Sequence, residues 1–188
     1  MIGEDVFRKI TSALDRAGIE YMLTGSFASV HYGAPRATQD IDIVIRAEPA
    51  RLKSLVEALN REQFYADVDD ALEAHRRESM FNVIDRTTGW KIDLIIRKSR
   101  PFSQEEFGRR RAVDLEGIKI FVASAEDIVI AKLEWAKRGE SQRQIEDVAK
   151  ILRLRKEALD QPYLEKWISH LGLGEQWRAA RIAAGMSD

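Results

Sequence analysis

Apolar residues recur at Phe7, Ile10, Leu14 and Ala17, the spacing of one helical face, and Gly18 ends that stretch. Residues 19–24 then read as a short strand. Gly25-Ser26 turns the chain into a small-residue helix over 27–32, which Gly33 closes. After a loop holding Pro35 and Thr38, polar and apolar positions alternate through Gln39-Asp40-Ile41-Asp42-Ile43-Val44-Ile45, the pattern of a strand with one apolar face. Leu52, Leu55, Val56 and Leu59, behind Pro49, predict another helix. Residues 67–78 are too densely charged to assign. Residues 80–84 and 91–97 read as two strands of a hairpin around Thr87-Thr88-Gly89, and Ile118–Val122 as one more strand. From Ser124 onward the pattern is helical only.

This order of elements predicts an α+β fold, a mixed sheet flanked by helices over residues 1–122 with a C-terminal helical region over 123–188. A chain of 188 residues holds one large domain, or one full domain and a small second one. Apolar residues make up 45%, enough for a real core, and 30 basic side chains nearly balance 31 acidic ones. That balance excludes a general nucleic-acid coat, so any polynucleotide must meet a local patch. The absence of cysteine excludes disulfides, thiolate catalysis and cysteine-held zinc. Met1-Ile2-Gly3-Glu4-Asp5 lacks the basic start and apolar stretch of a secretory signal, and no run reaches membrane-spanning length. A soluble cytoplasmic protein with no membrane partner is the expectation.

The acidic residues inside the strand patterns carry the chemistry. Asp40 and Asp42 share one face, with Ile41, Ile43 and Ile45 on the other. In Trp90-Lys91-Ile92-Asp93-Leu94-Ile95-Ile96, Lys91 and Asp93 share a face opposite Ile92, Leu94 and Ile96. If the two strands are neighbours, three carboxylates converge on one side of a sheet whose other side is core. Asp is a poor strand former, so its repeated use there points to function. Such hard oxygen donors suit Mg²⁺, and a pair of metal ions suits phosphoryl or nucleotidyl transfer. Gly25 permits close backbone approach, and Ser26 offers a hydroxyl and helix-start N–H groups to phosphate, but on these two residues alone a plain helix cap at a tight turn is the favoured reading.

In this order, Leu23-Thr24-Gly25-Ser26, Asp40-Ile41-Asp42 and Lys91-Ile92-Asp93-Leu94 resemble the nucleotidyltransferase superfamily with a polymerase-β-like palm. Arg36-Ala37-Thr38-Gln39-Asp40-Ile41-Asp42 is similar to the subset that includes AbiEii-type toxin nucleotidyltransferases and related uncharacterised bacterial proteins. The resemblance covers roughly residues 19–97 and extends more weakly to 152. It implies Asp40, Asp42 and Asp93 as ligands of two Mg²⁺ ions, with Asp93 also helping to deprotonate an attacking hydroxyl. Gly25 and Ser26, with Arg36 and Thr38 in the loop, would bind the nucleoside triphosphate. A tRNA end, a protein or a small hydroxylated molecule would accept the nucleotide, and a toxin of this kind would have a cognate antitoxin.

Lys132 lies between Ile128 and Trp135 on a helix, where it either snorkels to solvent or reaches the nucleotide phosphates; a lysine in a comparable helix of AbiEii-like proteins favours the second. Ser124 and Asp127 resemble a capping box. Asp147 either orients Lys132 or pairs with Arg143 or Lys150 on a helix surface, and the surface pair is the expectation. Arg97-Lys98-Ser99-Arg100 and Arg109-Arg110-Arg111 are the dense basic runs, read as solvated rims or RNA contacts. His31, His75 and His170 show no ligand spacing, which argues against zinc. Trp167, Trp177, Leu171 and Ile182 read as core of the terminal helices. The expected activity is metal-dependent nucleotidyl transfer. The alternatives are a catalytically silent nucleotide- or partner-binding module of the same fold, and a phosphodiesterase or nuclease using the same metals on another fold.

Overall fold

The computed structural model of the chain describes residues 2–33, 39–115, 117–139 and 141–186. Helix α1 (Ile2–Arg16) buries Phe7, Ile10 and Leu14 and stops at Gly18, whose φ of 63° lets the Ile19 N–H return to the Leu14 carbonyl at 2.9 Å. Strand β1 (Glu20–Thr24) leads directly into α2 (Gly25–His31), and β2 (Asp40–Arg46) follows. Next come α3 (Pro49–Ala58), β3 (Phe64–Tyr65), α4 (Val68–Arg77), β4 (Met80–Asp85) and β5 (Lys91–Ile96). The sequence then forms α5 (Pro101–Gly108), β6 (Arg111–Leu115) and β7 (Ile118–Val122). Helices α6 (Ala125–Gly139), α7 (Gln142–Arg155), α8 (Gln161–His170) and α9 (Gly174–Ala183) complete the described chain.

Among the described residues the sheet has seven strands in the order β3-β4-β5-β2-β1-β7-β6. β2 runs parallel to β5 and β1 parallel to β7, while the other neighbours are antiparallel, so the sheet is mixed and the fold α+β. The predicted apolar faces are the buried ones: Ile41, Ile43 and Ile45 of β2 and Ile92 and Leu94 of β5 are sealed from solvent. Helix α1 packs on β1, and α4 on β4 and β5. Helix α2 instead contacts β2 and α6, so it joins the sheet to the C-terminal helices. Strand β7 ends at Val122, and one buried cluster runs from Val6 through the sheet to Leu164 and Ala180.

Several assignments change. Residues 67–78, left open by their charge, contain α4: the Asp67 carboxylate accepts the N–H groups of Asp69 and Asp70 at 2.8 and 3.0 Å, and basic residues fill the last turn. Helix α2 begins at Gly25, two residues earlier than the apolar pattern indicates. Helix α5 and strands β3 and β6 were missed, being short and weakly patterned. Arg111, the end of the second basic run, is the first residue of β6. Trp167 is core, but Ile182 is exposed, because α9 turns that face outward. The 80–97 hairpin is present, its turn held by Asp85, which accepts from the Thr87 N–H at 2.8 Å and hydroxyl at 2.6 Å.

Candidate active site

The register of the parallel pair sets Asp42 beside Asp93 and Asp40 beside Lys91. On its other side Asp42 faces Thr24, the last residue of β1, so it lies at the centre of the sheet's polar face. Gly25 follows at φ 65°, and a Cβ there would lie 2.0 Å from Asp42 Oδ2. Only glycine fits: the backbone turns on top of the carboxylate and sends the Ser26 N–H to it. Burial raises the Asp42 pKa to about 6, and the negative charges of Asp93 and Asp40 add to the rise, while the Ser26 hydrogen bond and the Lys132 charge oppose it. The strand pair is short of positive charge.

Asp93 is buried and engaged on both oxygens. Asn82 Nδ2 donates to Oδ1 at 2.5 Å and Lys91 Nζ to Oδ2 at 3.0 Å. Asp40 sits at the exposed start of β2. The hard carboxylate donors and the surplus of negative charge fit Mg²⁺. Among the described residues, however, no three acidic or imidazole side chains close on one point, so an ion shared with Asp93 would have to displace the Lys91 ammonium.

Lys132 does not snorkel. It is 4% exposed, and its ammonium donates to Asp147 Oδ2 at 2.9 Å and to Gln144 Oε1 at 3.2 Å. Asp147, read from sequence as half of a surface pair, is 2% exposed and belongs to Lys132. Lys150 is its outer neighbour at 3.5 Å, and packing of α6 against α7 buries the pair. A cleft of about 370 Å³ gathers Thr24, Gly25, Ser26, Asp40, Asp42, Asp93, Lys132 and Gln144 along one wall. The other end is built from the segment after β5, from α5 and from the outer face of α6. There Arg97, Lys98, Arg100, Glu106, Glu134 and Arg138 line the space, with Trp135 on the rim. Sequence reasoning missed Glu106 and Glu134. Arg36 and Thr38 lie outside the described residues.

The two basic runs separate. Arg97, Lys98 and Arg100 line the cleft. Arg109 and Arg110 are spent elsewhere, on Glu126 and Asp127 (3.5 and 3.6 Å) and on Glu20 (2.8 Å), with their guanidinium groups over Tyr163 and Phe107. The capping reading of Ser124 holds in altered form: its hydroxyl accepts the Asp127 N–H at 3.2 Å and donates to Asp127 Oδ2 at 2.6 Å.

Residues 4–183 match the sequence profile of the family described as "Nucleotidyltransferase of unknown function (DUF6036)". No curated protein sequence matches the chain. Its fold is similar to that of an antigenic nucleotidyltransferase-like protein from Paracoccidioides brasiliensis, with TM-score 0.54 and 17% identity over 92% of this chain and 89% of that one. It is also similar to the antibiotic-resistance factor ANT(2'')-Ia, with TM-score 0.51 and 14% identity in its solution structure, over 96% of this chain and 88% of that one. A crystal structure of ANT(2")-Ia in complex with adenylyl-2"-tobramycin gives TM-score 0.51 at 15% identity, over 96% of each chain. At these identities the likeness is one of fold, and the family assignment rests on the profile. The chain belongs to the nucleotidyltransferase superfamily, in this family of unknown function.

Proposed function

We propose that this chain transfers a nucleoside monophosphate from a nucleoside triphosphate to a hydroxyl acceptor at the Asp42–Asp93 strand pair. The observation that supports it most is Asp42 itself: a carboxylate set beside Asp93, crowded by Asp40, with the Gly25-Ser26 backbone folded onto it. Two Mg²⁺ ions held by Asp40, Asp42 and Asp93 would supply charge stabilisation to the entering and leaving oxygens. The acceptor oxygen attacks the α-phosphorus in line, its bond to phosphorus forms as the bond to the β-phosphate oxygen breaks, and pyrophosphate leaves. Asp93 takes the hydroxyl proton as Lys91 moves off it. Ser26 and Lys132 face the departing pyrophosphate, and Asp147 with Gln144 fixes the Lys132 ammonium against the cleft wall.

The acceptor is a tRNA end, a protein or a small hydroxylated molecule. A toxin role opposed by a cognate antitoxin rests on the resemblance to AbiEii-type proteins alone. Among the described residues no helix is long and apolar enough to cross a membrane. One observation favours a second reading, a silent nucleotide-binding module: both oxygens of Asp93 are already satisfied by Asn82 and Lys91. Transfer from α-³²P-labelled ATP, CTP, GTP and UTP into total RNA and cell protein, wild type against Asp42→Ala, separates the two. Mg²⁺-dependent label that the variant loses supports the enzyme. Nucleotide binding without label in RNA, protein or a hydroxylated small-molecule pool supports the silent module.

A further inference from the structure

The end of the cleft away from Asp42 has an excess of positive charge that the transfer chemistry does not use. β5 carries Asp93 and then the segment Arg97-Lys98, so the basic residues begin about 13 Å farther along the same strand direction. Arg97 lines the cleft with its Nε buried and without a hydrogen-bond partner. Lys98 is pushed down by burial first, and then by the like charges of Arg138 and Arg100. Glu134 and Glu106 act the other way.

These two acids do not balance the cations. Glu134 is committed to Arg100 through two hydrogen bonds of 2.6 Å and has Arg138 at 3.9 Å. Burial first, and then the Asp127 charge, push Glu106 up to about 8, against the charges of Arg100 and Lys98. Four cations, Arg97, Lys98, Arg100 and Arg138, thus line this end of the cleft against two acids, Glu106 and Glu134. Trp135, 60% exposed, stands on the same rim and offers a flat apolar surface.

We propose that Arg97, Lys98 and Arg138 form an anion subsite that binds a phosphate group of the acceptor, placing its hydroxyl at the Asp42–Asp93 pair. The proposal builds on the nucleotidyl-transfer reading and names its acceptor class, a phosphate-bearing alcohol. Two or three planar-fork or ammonium donors around one phosphate are an ordinary recognition set, and Trp135 suits an acceptor that also carries a base. The same charges repel a polycationic acceptor.

The test compares wild type, Lys98→Gln/Arg138→Gln and a control, Lys166→Gln/Arg178→Gln, which removes the same two charges away from the cleft. Thermal melting verifies that all three fold. Fluorescence anisotropy with a labelled hexauridylate reads the subsite, and a fluorescent ATP analogue with Mg²⁺ reads the nucleotide site. The cleft variant is expected to bind the oligonucleotide about 10-fold more weakly or worse, with a salt slope lower by about 1.4, while the control stays near wild type. ATP-analogue binding stays unchanged in all three. Glycerol 3-phosphate displacing the probe, where glycerol does not, marks a small phosphorylated acceptor; resistance to it marks an RNA end. Equal oligonucleotide binding in the cleft variant and the control overturns the proposal. So does a cleft variant that loses the ATP analogue. If wild type fails to bind the ATP analogue but still shows the charge-specific loss, nucleotidyl transfer fails and the anion subsite stands.

Discussion

Helix α6 faces two groups of acids, and they differ in how their charge is met. At its first turn, Glu126 and Asp127 are surrounded by donors: the Asp160 N–H reaches Glu126 at 3.1 Å, Tyr163 Oη donates to Asp127 at 2.6 Å, and Ser124 and Arg109 complete the set. Burial pushes Glu126 up, but its hydrogen bonds and Arg109 bring it below the ordinary range. Asp127 stays above that range, through burial first and the neighbouring Glu126 charge as a lesser cause, against its bonds to Ser124 and Tyr163 and the Arg109 charge. Two turns later α6 presents Lys132 to the cleft, where Asp42 is raised by burial and then by other carboxylates. The first group fastens α8 and β6's approach to α6. The second leaves a charge deficit facing solvent-accessible space, which is what a site for phosphate chemistry requires and a structural cluster does not.

That contrast can be broken by substitution. Asp42→Asn should lower nucleotidyl transfer by about 10⁴-fold or more while the melting temperature does not fall, because a crowded charge is removed. Steady-state transfer and calorimetry on the same preparation check both halves. Lys132→Met removes the close ion-pair partner of buried Asp147 and should cost about 3–5 kcal/mol, read by urea unfolding. Lys132→Met/Asp147→Leu should recover most of the stability and none of the transfer. Recovery of both would make the pair purely structural.

On the structural side, Tyr163→Phe strands Asp127 Oδ1 and should destabilise by about 1–3 kcal/mol, with transfer per folded molecule unchanged. Glu106 has a folded pKa above its unfolded one, so its contribution is present below pH 4.5 and is lost as pH rises through about 8. Glu106→Gln should therefore match wild type at pH 4 and exceed it at pH 8 by about 1–2 kcal/mol, the partial exposure of the group limiting the gain. Lys166→Gln, which removes an exposed pair with Glu105, should change stability by no more than about 0.5 kcal/mol.

The strand pair was legible because alternation has a period of two: Asp on every second position beside Ile on the others fixes both the face and the core. Alternation puts Asp42 and Asp93 on one face once the strands are neighbours, but their pairing in register, against a slip of two residues, is set by the fold. Lys132 and Asp147 were visible separately, but their union depends on how α6 packs on α7, which no local pattern states. Helix α4 was hidden by charge, although Asp67 as its cap and the acidic-to-basic gradient along it were in the sequence. Glu106 was hidden because α5 is eight residues long and its pattern is dominated by two aromatic anchors, Phe102 and Phe107. The two arginine-rich runs look alike in sequence, and only tertiary placement sends one to the cleft and the other to Glu20, Glu126 and Asp127.

The most direct test of the Asp42 pair as the working site is calorimetric titration of ATP, with and without Mg²⁺, into wild type, Asp42→Asn and Tyr163→Phe. Binding that requires Mg²⁺, persists in Tyr163→Phe and weakens by at least about 10-fold in Asp42→Asn is the predicted result. Equal affinity in wild type and Asp42→Asn, or binding indifferent to Mg²⁺, would contradict it.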